Sequence, residues 1–151
     1  MAAVRRGAGA LQRYLVSLYF LGVIVQFFLV GVGLFGMKAG SNIDNAKSLD
    51  AHRGFGFVLV EFVGGLLLLA TLVAWQKPLV RKVGLYVVLC LLGVVQAVLA
   101  TEGWHHKYVG MFHPVNALLL LGLSAALSRR AWADARAPAK APESVAAATT
   151  N

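Results

Sequence analysis

Four apolar runs, at 14–36, 54–75, 83–100 and 108–127, set what this chain can fold into. A helix needs about 20 mostly apolar residues to cross a hydrocarbon core roughly 30 Å thick. Each run meets or approaches that length. None alternates polar with apolar residues, and each is too long for a single strand, so strand readings fail. The first run exceeds the roughly 7–15-residue apolar region of a secretory signal and ends in Gly36-Met37-Lys38 rather than at a small-residue cleavage site. It is expected to stay in the mature protein. Of the 151 residues 59% are hydrophobic and only 13% charged, where a soluble domain has about 25% charged. The expected fold is all-α: an integral membrane, up-down four-helix bundle.

The basic residues give the bundle a direction, because cytoplasmic connections carry excess Lys and Arg. Placing the N-terminus, the 76–82 loop and the C-terminus on one side collects Arg5, Arg6, Arg13, Lys77, Arg81, Lys82, Arg129, Arg130, Arg136 and Lys140, ten of the fourteen. The other side holds Lys38, Lys47, Arg53 and Lys107, diluted by Asp44, Asp50 and Glu102. Both termini are therefore expected in the cytoplasm, and the protein in a bacterial plasma membrane as a multi-pass chain with the lipid bilayer as its first partner. The net charge of +8 reads as topology. Nucleic-acid binding has no support, since no aromatics interleave the basic residues and no folded basic domain exists to carry them. Residues 1–9 read as a flexible N-terminus, 10–130 as the bundle, and the Ala/Pro/Thr/Ser-rich 131–151 as a disordered cytoplasmic tail. Cys90 is the only cysteine and lies in an apolar run, so no disulfide framework or thiol chemistry is expected.

Inside the runs the polar exceptions are few: Ser17, Gln26, Glu61, Thr71, Gln96, His113, Asn116 and Ser124, with His52 at the mouth of the second helix. Such side chains are costly in lipid and face the bundle interior or a functional path; the plainer role is interhelical hydrogen bonding. Helices 2 and 4 both run from outside to inside, and each histidine lies near the outer end of its helix. In an up-down bundle these helices are diagonal partners, so the two imidazoles are expected to face each other across the core. That arrangement suits a cofactor held between two axial nitrogens.

A flat macrocycle also needs room beside its ligands. Positions i and i+4 share a helix face; Gly56 follows His52 at that spacing and Ala117 follows His113. Arg53, Lys107, His105 and His106 stand where haem propionates would reach the interface, and Arg pairs with carboxylates in bidentate fashion. Pro114 as a first helical residue would leave a helix to Leu127 of only about 21 Å. The fourth helix is thus expected to start near residues 104–108, with Pro114 in its first turns or at a kink and His113 inside the bundle. At 100° per residue Glu61 points away from the face of His52; an interhelical hydrogen bond to Gln26 is the expectation for it, with a proton relay as the alternative.

At these residues the chain resembles one four-helix half of the haem A synthase family. That half carries a histidine followed by Arg at the outer end of its second helix, and another histidine in its fourth helix about sixty residues on. The matching stretches are His52-Arg53-Gly54-Phe55-Gly56 and His113-Pro114-Val115-Asn116-Ala117, 61 residues apart. Val95-Gln96-Ala97-Val98-Leu99-Ala100 is similar to the family's Leu-Gln-containing third helix. The resemblance covers roughly residues 12–130 and implies paired histidine ligation of haem b by His52 and His113, with Gly56, Ala117, Arg53, Asn116 and Gln96 around it. The family's active half has a glutamate three residues before its helix-2 histidine; here Leu49 stands there, with Asp50 two before. The chain is also half the length of that enzyme, so hydroxylation of a haem methyl is not expected. It is equally similar to small actinobacterial four-helix membrane proteins of unknown function, which share the His-Arg and His-Pro-x-Asn-Ala pattern.

The leading expectation is a b-type haem protein of the plasma membrane. Two histidine ligands leave iron no open position and favour electron transfer or haem handling. The alternative is a cofactor-free accessory or assembly subunit docking on a larger respiratory or other membrane complex, for which Gly31, Gly33 and Gly36 permit close helix packing. A transporter or proton path built on Glu61, Gln26 and Gln96 is a third reading and requires oligomers. No hydrolytic or nucleophilic constellation is present.

Overall fold

A computed structural model describes residues 2–40, 46–74, 80–103 and 105–137, with side chains from 3 in the first segment and from 83 in the third. The long helices are α1 (Ala2–Phe35), α2 (Lys47–Ala74), α3 (Val80–Gly103) and α4 (Lys107–Arg136). All four are long and apolar enough to cross a membrane; at 1.5 Å per residue α2 alone measures about 42 Å. No strand occurs among the described residues.

Each helix packs on its chain neighbours and α4 closes against α1, which leaves α1–α3 and α2–α4 as the two diagonals. Leu15, Val16, Tyr19 and Val23 of α1 meet Leu59, Leu67 and Ala70 of α2, Tyr86 and Leu89 of α3, and Leu120 and Leu127 of α4 in one core. The α1–α2 pair keeps a single antiparallel register along its length: Gln12 meets Thr71, Gly22 meets Leu59, Gln26 meets Gly56 and Gly33 meets Leu49. At the α3–α4 turn the backbones of Gly103 and Gly110 nearly touch. A Cβ added to Gly103 would lie 2.7 Å from the Gly110 Cα, so only glycine lets the two helices meet there.

Two helices are irregular, and both irregularities lie near the residues of interest. α2 begins with a 3₁₀ turn, Lys47–Leu49, and is π-helical over Val58–Val63; the Gly64 N–H reaches back five residues to the Leu59 carbonyl. Wide turns of this kind rotate the residues after them relative to an α-helical count and are common at functional positions. α4 opens with one turn, Lys107–Gly110, breaks at Met111 and resumes as Phe112–Arg136. The break falls where the Pro114 ring would meet the carbonyl four residues back, and it leaves Pro114 and His113 in the first turn of the long segment, as the length argument requires.

The ends differ from the sequence reading. α1 is helical from Ala2 and α4 to Arg136, so helix covers residues 2–9 of the N-terminus expected to be flexible and the first six residues of the tail expected at 131–151; Met1 and residues 138–151 lie outside the described residues. The cause at the α4 end is Trp132. Its Nε1 donates to Ser17 Oγ at 2.9 Å, its ring stands edge-on to Tyr14 at 5.4 Å, and the Arg13 guanidinium lies over it.

Candidate functional site at the histidine end

His52 sits one turn inside α2, and His113 lies in the first turn of the long segment of α4. The two helices run parallel across the diagonal, so both residues fall at the same end of the bundle. Their half-buried rings face each other with centroids 6.4 Å apart and planes at 75°.

His113 is held by α3. Its Nδ1 is 3.2 Å from the Gln96 carbonyl oxygen and its Nε2 is 3.1 Å from Gln96 Nε2. Gln96 is fixed in turn, because Asn116 Nδ2 donates to Gln96 Oε1 at 2.7 Å and to the Leu92 carbonyl at 2.9 Å. An amide nitrogen only donates. His113 Nε2 must therefore accept, and its proton sits on Nδ1, donated to the Gln96 carbonyl. This is a neutral imidazole with its lone pair on Nε2 and its tautomer set by a backbone carbonyl, the arrangement that orients histidine ligands in metal sites.

His52 is held loosely. Gln26 Nε2 donates to the His52 carbonyl at 3.1 Å, but His52 Nδ1 and Gln26 Oε1 are buried with no hydrogen-bond partner among the described residues. Buried polar atoms without partners are rare in folded proteins and call for a specific explanation. The Gln26 carboxamide also lies on the bare face of Gly56, so that a Cβ there would collide with Gln26 Nε2. Ala117 is half-buried one turn beyond His113, and Asn116 is buried. Arg53 bonds Asp50 Oδ1 at 3.1 Å and the Ala46 carbonyl at 3.3 Å, which ties it to the start of its own helix. Lys107 lies over the Tyr108 ring at 5.1 Å, and His105 and His106 are exposed.

The structure thus brings His52, His113, Gln96 and Asn116 together and adds Gln26, which the sequence reading assigned elsewhere. The pairing of Gln26 with Glu61 does not occur. In the α1–α2 register Glu61 is level with Leu21, more than a turn from Gln26, and it is exposed on the outside of the bundle. Cys90 is half-buried, its Sγ donating to the Gly64 carbonyl at 3.5 Å.

The donor set can be tested against an iron held on two axial nitrogens. Two imidazole nitrogens each about 2 Å from one ion, with ring centres about 1 Å behind them, put those centres about 6 Å apart. The observed 6.4 Å and the Nδ1-held tautomer of His113 fit such a pair; the buried Nδ1 of His52, which has no partner among the described residues, lacks the bond that orients His113. Two carboxamides stand beside the rings: Gln26 on the face of Gly56, and Gln96, whose Nε2 sits on the His113 Nε2 lone pair; to admit a macrocycle Gln26 would have to swing aside and Gln96 to give up its bonds to His113 Nε2 and Asn116. Among the described residues no group of three or more His, Cys, Asp or Glu side chains converges as a metal site; axial ligation needs only the pair. No family model matches the chain, and neither curated proteins nor solved structures give a match.

Proposed function

We propose that the chain is a membrane-embedded b-type haem protein that carries electrons or hands on haem. In this reading α1–α4 cross a bacterial plasma membrane with both termini in the cytoplasm, and His52 and His113 would hold the haem iron near the outer face. The observation that carries it is the pair of imidazoles facing each other at 6.4 Å from diagonal helices. Resemblance of the His-Arg and His-Pro-x-Asn-Ala stretches to the haem A synthase family supports it, as does the direction set by ten of the fourteen basic residues.

A haem held on both sides would supply a one-electron couple with no open coordination position. The chain's own residues do the rest. The Gln96 carbonyl holds the His113 Nδ1 proton and so keeps the Nε2 lone pair directed; Asn116 holds Gln96; Gly56 and Ala117 leave the helix faces beside the ligands low; Arg53 offers a cation at the membrane surface for a propionate. The decisive experiment is a reduced-minus-oxidised spectrum of the protein purified from haem-replete membranes. A b-type spectrum lost in His52→Ala and in His113→Ala is the expected result. No absorption in the wild type, or a spectrum unchanged in both variants, overturns the reading.

One observation favours a second reading, a cofactor-free accessory subunit of a larger membrane complex. Every polar group of the His113–Gln96–Asn116 cluster that makes a hydrogen bond already has its partner within the chain. Purification of a stoichiometric partner protein without b-type absorption would establish it.

A further inference from the structure

Arg13 is a half-buried cation without an acceptor. Its Nε is buried and has no hydrogen-bond partner, and no hydrogen bond or ion pair from its guanidinium exists among the described residues. The group is nonetheless held in place. Its central carbon lies 5.7 Å from the centre of the Trp132 ring, and that ring is fixed by its own Nε1 bond to Ser17 Oγ and by Tyr14 packed edge-on against it. A ring face attracts the charge but leaves the N–H groups without an oxygen to receive them. A folded chain rarely keeps such donors idle.

The surroundings of Arg13 are positive. At about 100° per residue Arg6, Gly9, Arg13 and Ser17 fall on one stripe of α1, the stripe that meets α4 through Ser17 and Ser128. The register that pairs Ser17 with Ser128 and Arg13 with Trp132 sets Gly9 level with Arg136, and Arg136 follows Trp132 by four residues, on the same face of α4. Arg6 and Arg136 are exposed, and a Cβ added to Gly9 would meet nothing within 4 Å, so the cleft between these helix ends is open. α1 contains no acidic residue. On α4 the acid at this end is Asp134, two residues from Trp132 and so about 160° around the helix from it. Arg6, Arg13 and Arg136 thus border one cleft, and no carboxylate of α1 or α4 shares it.

We infer that this cleft holds the phosphate of an anionic phospholipid, received by the Arg13 guanidinium and flanked by Arg6 and Arg136. Depth selects a lipid. Arg13 stands immediately before the apolar run at 14–36, and Tyr14 and Trp132 are amphipathic rings of the kind that mark the headgroup level of a membrane-spanning bundle. The anion at that level outside the protein is the lipid phosphate, and the guanidinium fork matches it by presenting parallel N–H donors to its oxygens. Charge selects an anionic lipid. A zwitterionic headgroup would bring its own cation up to the arginines, whereas basic clefts between helices at the cytoplasmic face hold anionic headgroups. The inference rests on membrane insertion and is independent of haem.

The test uses the full chain in detergent micelles, with native mass spectrometry following bound dioleoyl phosphatidylglycerol or dioleoyl phosphatidylcholine. The wild type is expected to retain phosphatidylglycerol in preference to phosphatidylcholine. Arg13→Gln and Arg136→Gln each raise the phosphatidylglycerol dissociation constant roughly fivefold, the effect of one cation near a membrane surface. Arg130→Gln, which removes the same charge from the side of α4 away from Trp132, leaves it unchanged. Equal retention of the two lipids by the wild type overturns the proposal, as does wild-type affinity in Arg13→Gln or Arg136→Gln, or an equal loss in Arg130→Gln, which would make the attraction one of net charge. Displacement of the lipid by millimolar inorganic phosphate would overturn the lipid as occupant and assign the cleft to a free anion. If thermal unfolding shows that Arg13→Gln does not fold, Arg136→Gln, at an exposed position, decides alone. Extraction of the wild type by alkaline carbonate without detergent would sink membrane insertion instead, and the haem spectrum reads out separately from both.

Discussion

The two ends of the bundle are both built from polar side chains on apolar helices, yet one of them is more fully paired than the other. At the end where α1 begins and α4 finishes, Ser17 Oγ donates to the Arg13 carbonyl at 2.9 Å and accepts from Trp132 Nε1 at 2.9 Å and from Ser128 Oγ at 2.8 Å. A hydroxyl has one donor and two acceptor positions, and all three are used. Thr71 there accepts from Gln12 Nε2 and donates to the Leu67 carbonyl; Arg13 Nε is the one buried polar atom of that cluster without a partner among the described residues. At the histidine end His113 is fully engaged while His52 Nδ1 and Gln26 Oε1 are not. The same helices thus carry a closed network that fixes geometry and an open one that can change partners.

This contrast separates the consequences of substitution. The largest effect is expected at the open end: if the chain holds haem as proposed, His52→Ala or His113→Ala removes the b-type absorption altogether, whereas Ser17→Ala leaves the absorption per folded protein unchanged. A Ser17→Ala protein that loses its spectrum while remaining folded would show that the two ends do not divide the work in this way.

Stability is expected to reverse the ranking. Ser17→Ala strips the acceptor from the Trp132 N–H and the Ser128 hydroxyl in a half-buried setting, and unsatisfied groups of this kind cost about 1–3 kcal/mol. Denaturation of the detergent-solubilised protein should show a loss in that range, and Trp132→Phe, which deletes the donor as well, a smaller one. If Ser17→Ala proves neutral, the network at that end is a consequence of packing rather than a cause of it.

What the sequence disclosed and what it withheld follow from the range of each interaction. The four helices were legible because a membrane-length apolar run signals itself without reference to any neighbour. The diagonal pairing of His52 with His113 was legible because parallel helices of an up-down bundle put their like ends at one level. The helical ends were not, since residues 3–9 and 131–136 carry no apolar run; at the α4 end the order comes with contacts such as Trp132 with Ser17. Gln26 was misplaced for a related reason: helical angle alone says which way a residue points, and only the α1–α2 register says which residue it meets. That register puts Gln26 beside Gly56 and leaves Glu61 on the outside, where no counting along one helix could locate it.

The smallest effect tests the looseness of the open end directly. A methyl on Gly56 falls on Gln26 Nε2, the far end of a flexible side chain, so Gly56→Ala forces the carboxamide to move and weakens its bond to the His52 carbonyl. The collision costs about 1 kcal/mol, at the low end for overpacking, and is offset by the roughly 0.5–1 kcal/mol that alanine gains over glycine inside a helix, so the net change is small. Gln26→Ala alone gives up that bond but also removes the buried, unpartnered Oε1, and these opposing terms leave a change below about 1 kcal/mol. In the double variant the collision is gone, so the two substitutions should be coupled, by roughly 0.5–1.5 kcal/mol. Gly54→Ala, two residues away on α2 with nothing within 4 Å of its added Cβ, is the control and should show no coupling to Gln26. Additive behaviour of Gly56→Ala and Gln26→Ala would mean that Gln26 is not what occupies the face beside His52, and the space next to the histidine pair would then have to be assigned to another side chain.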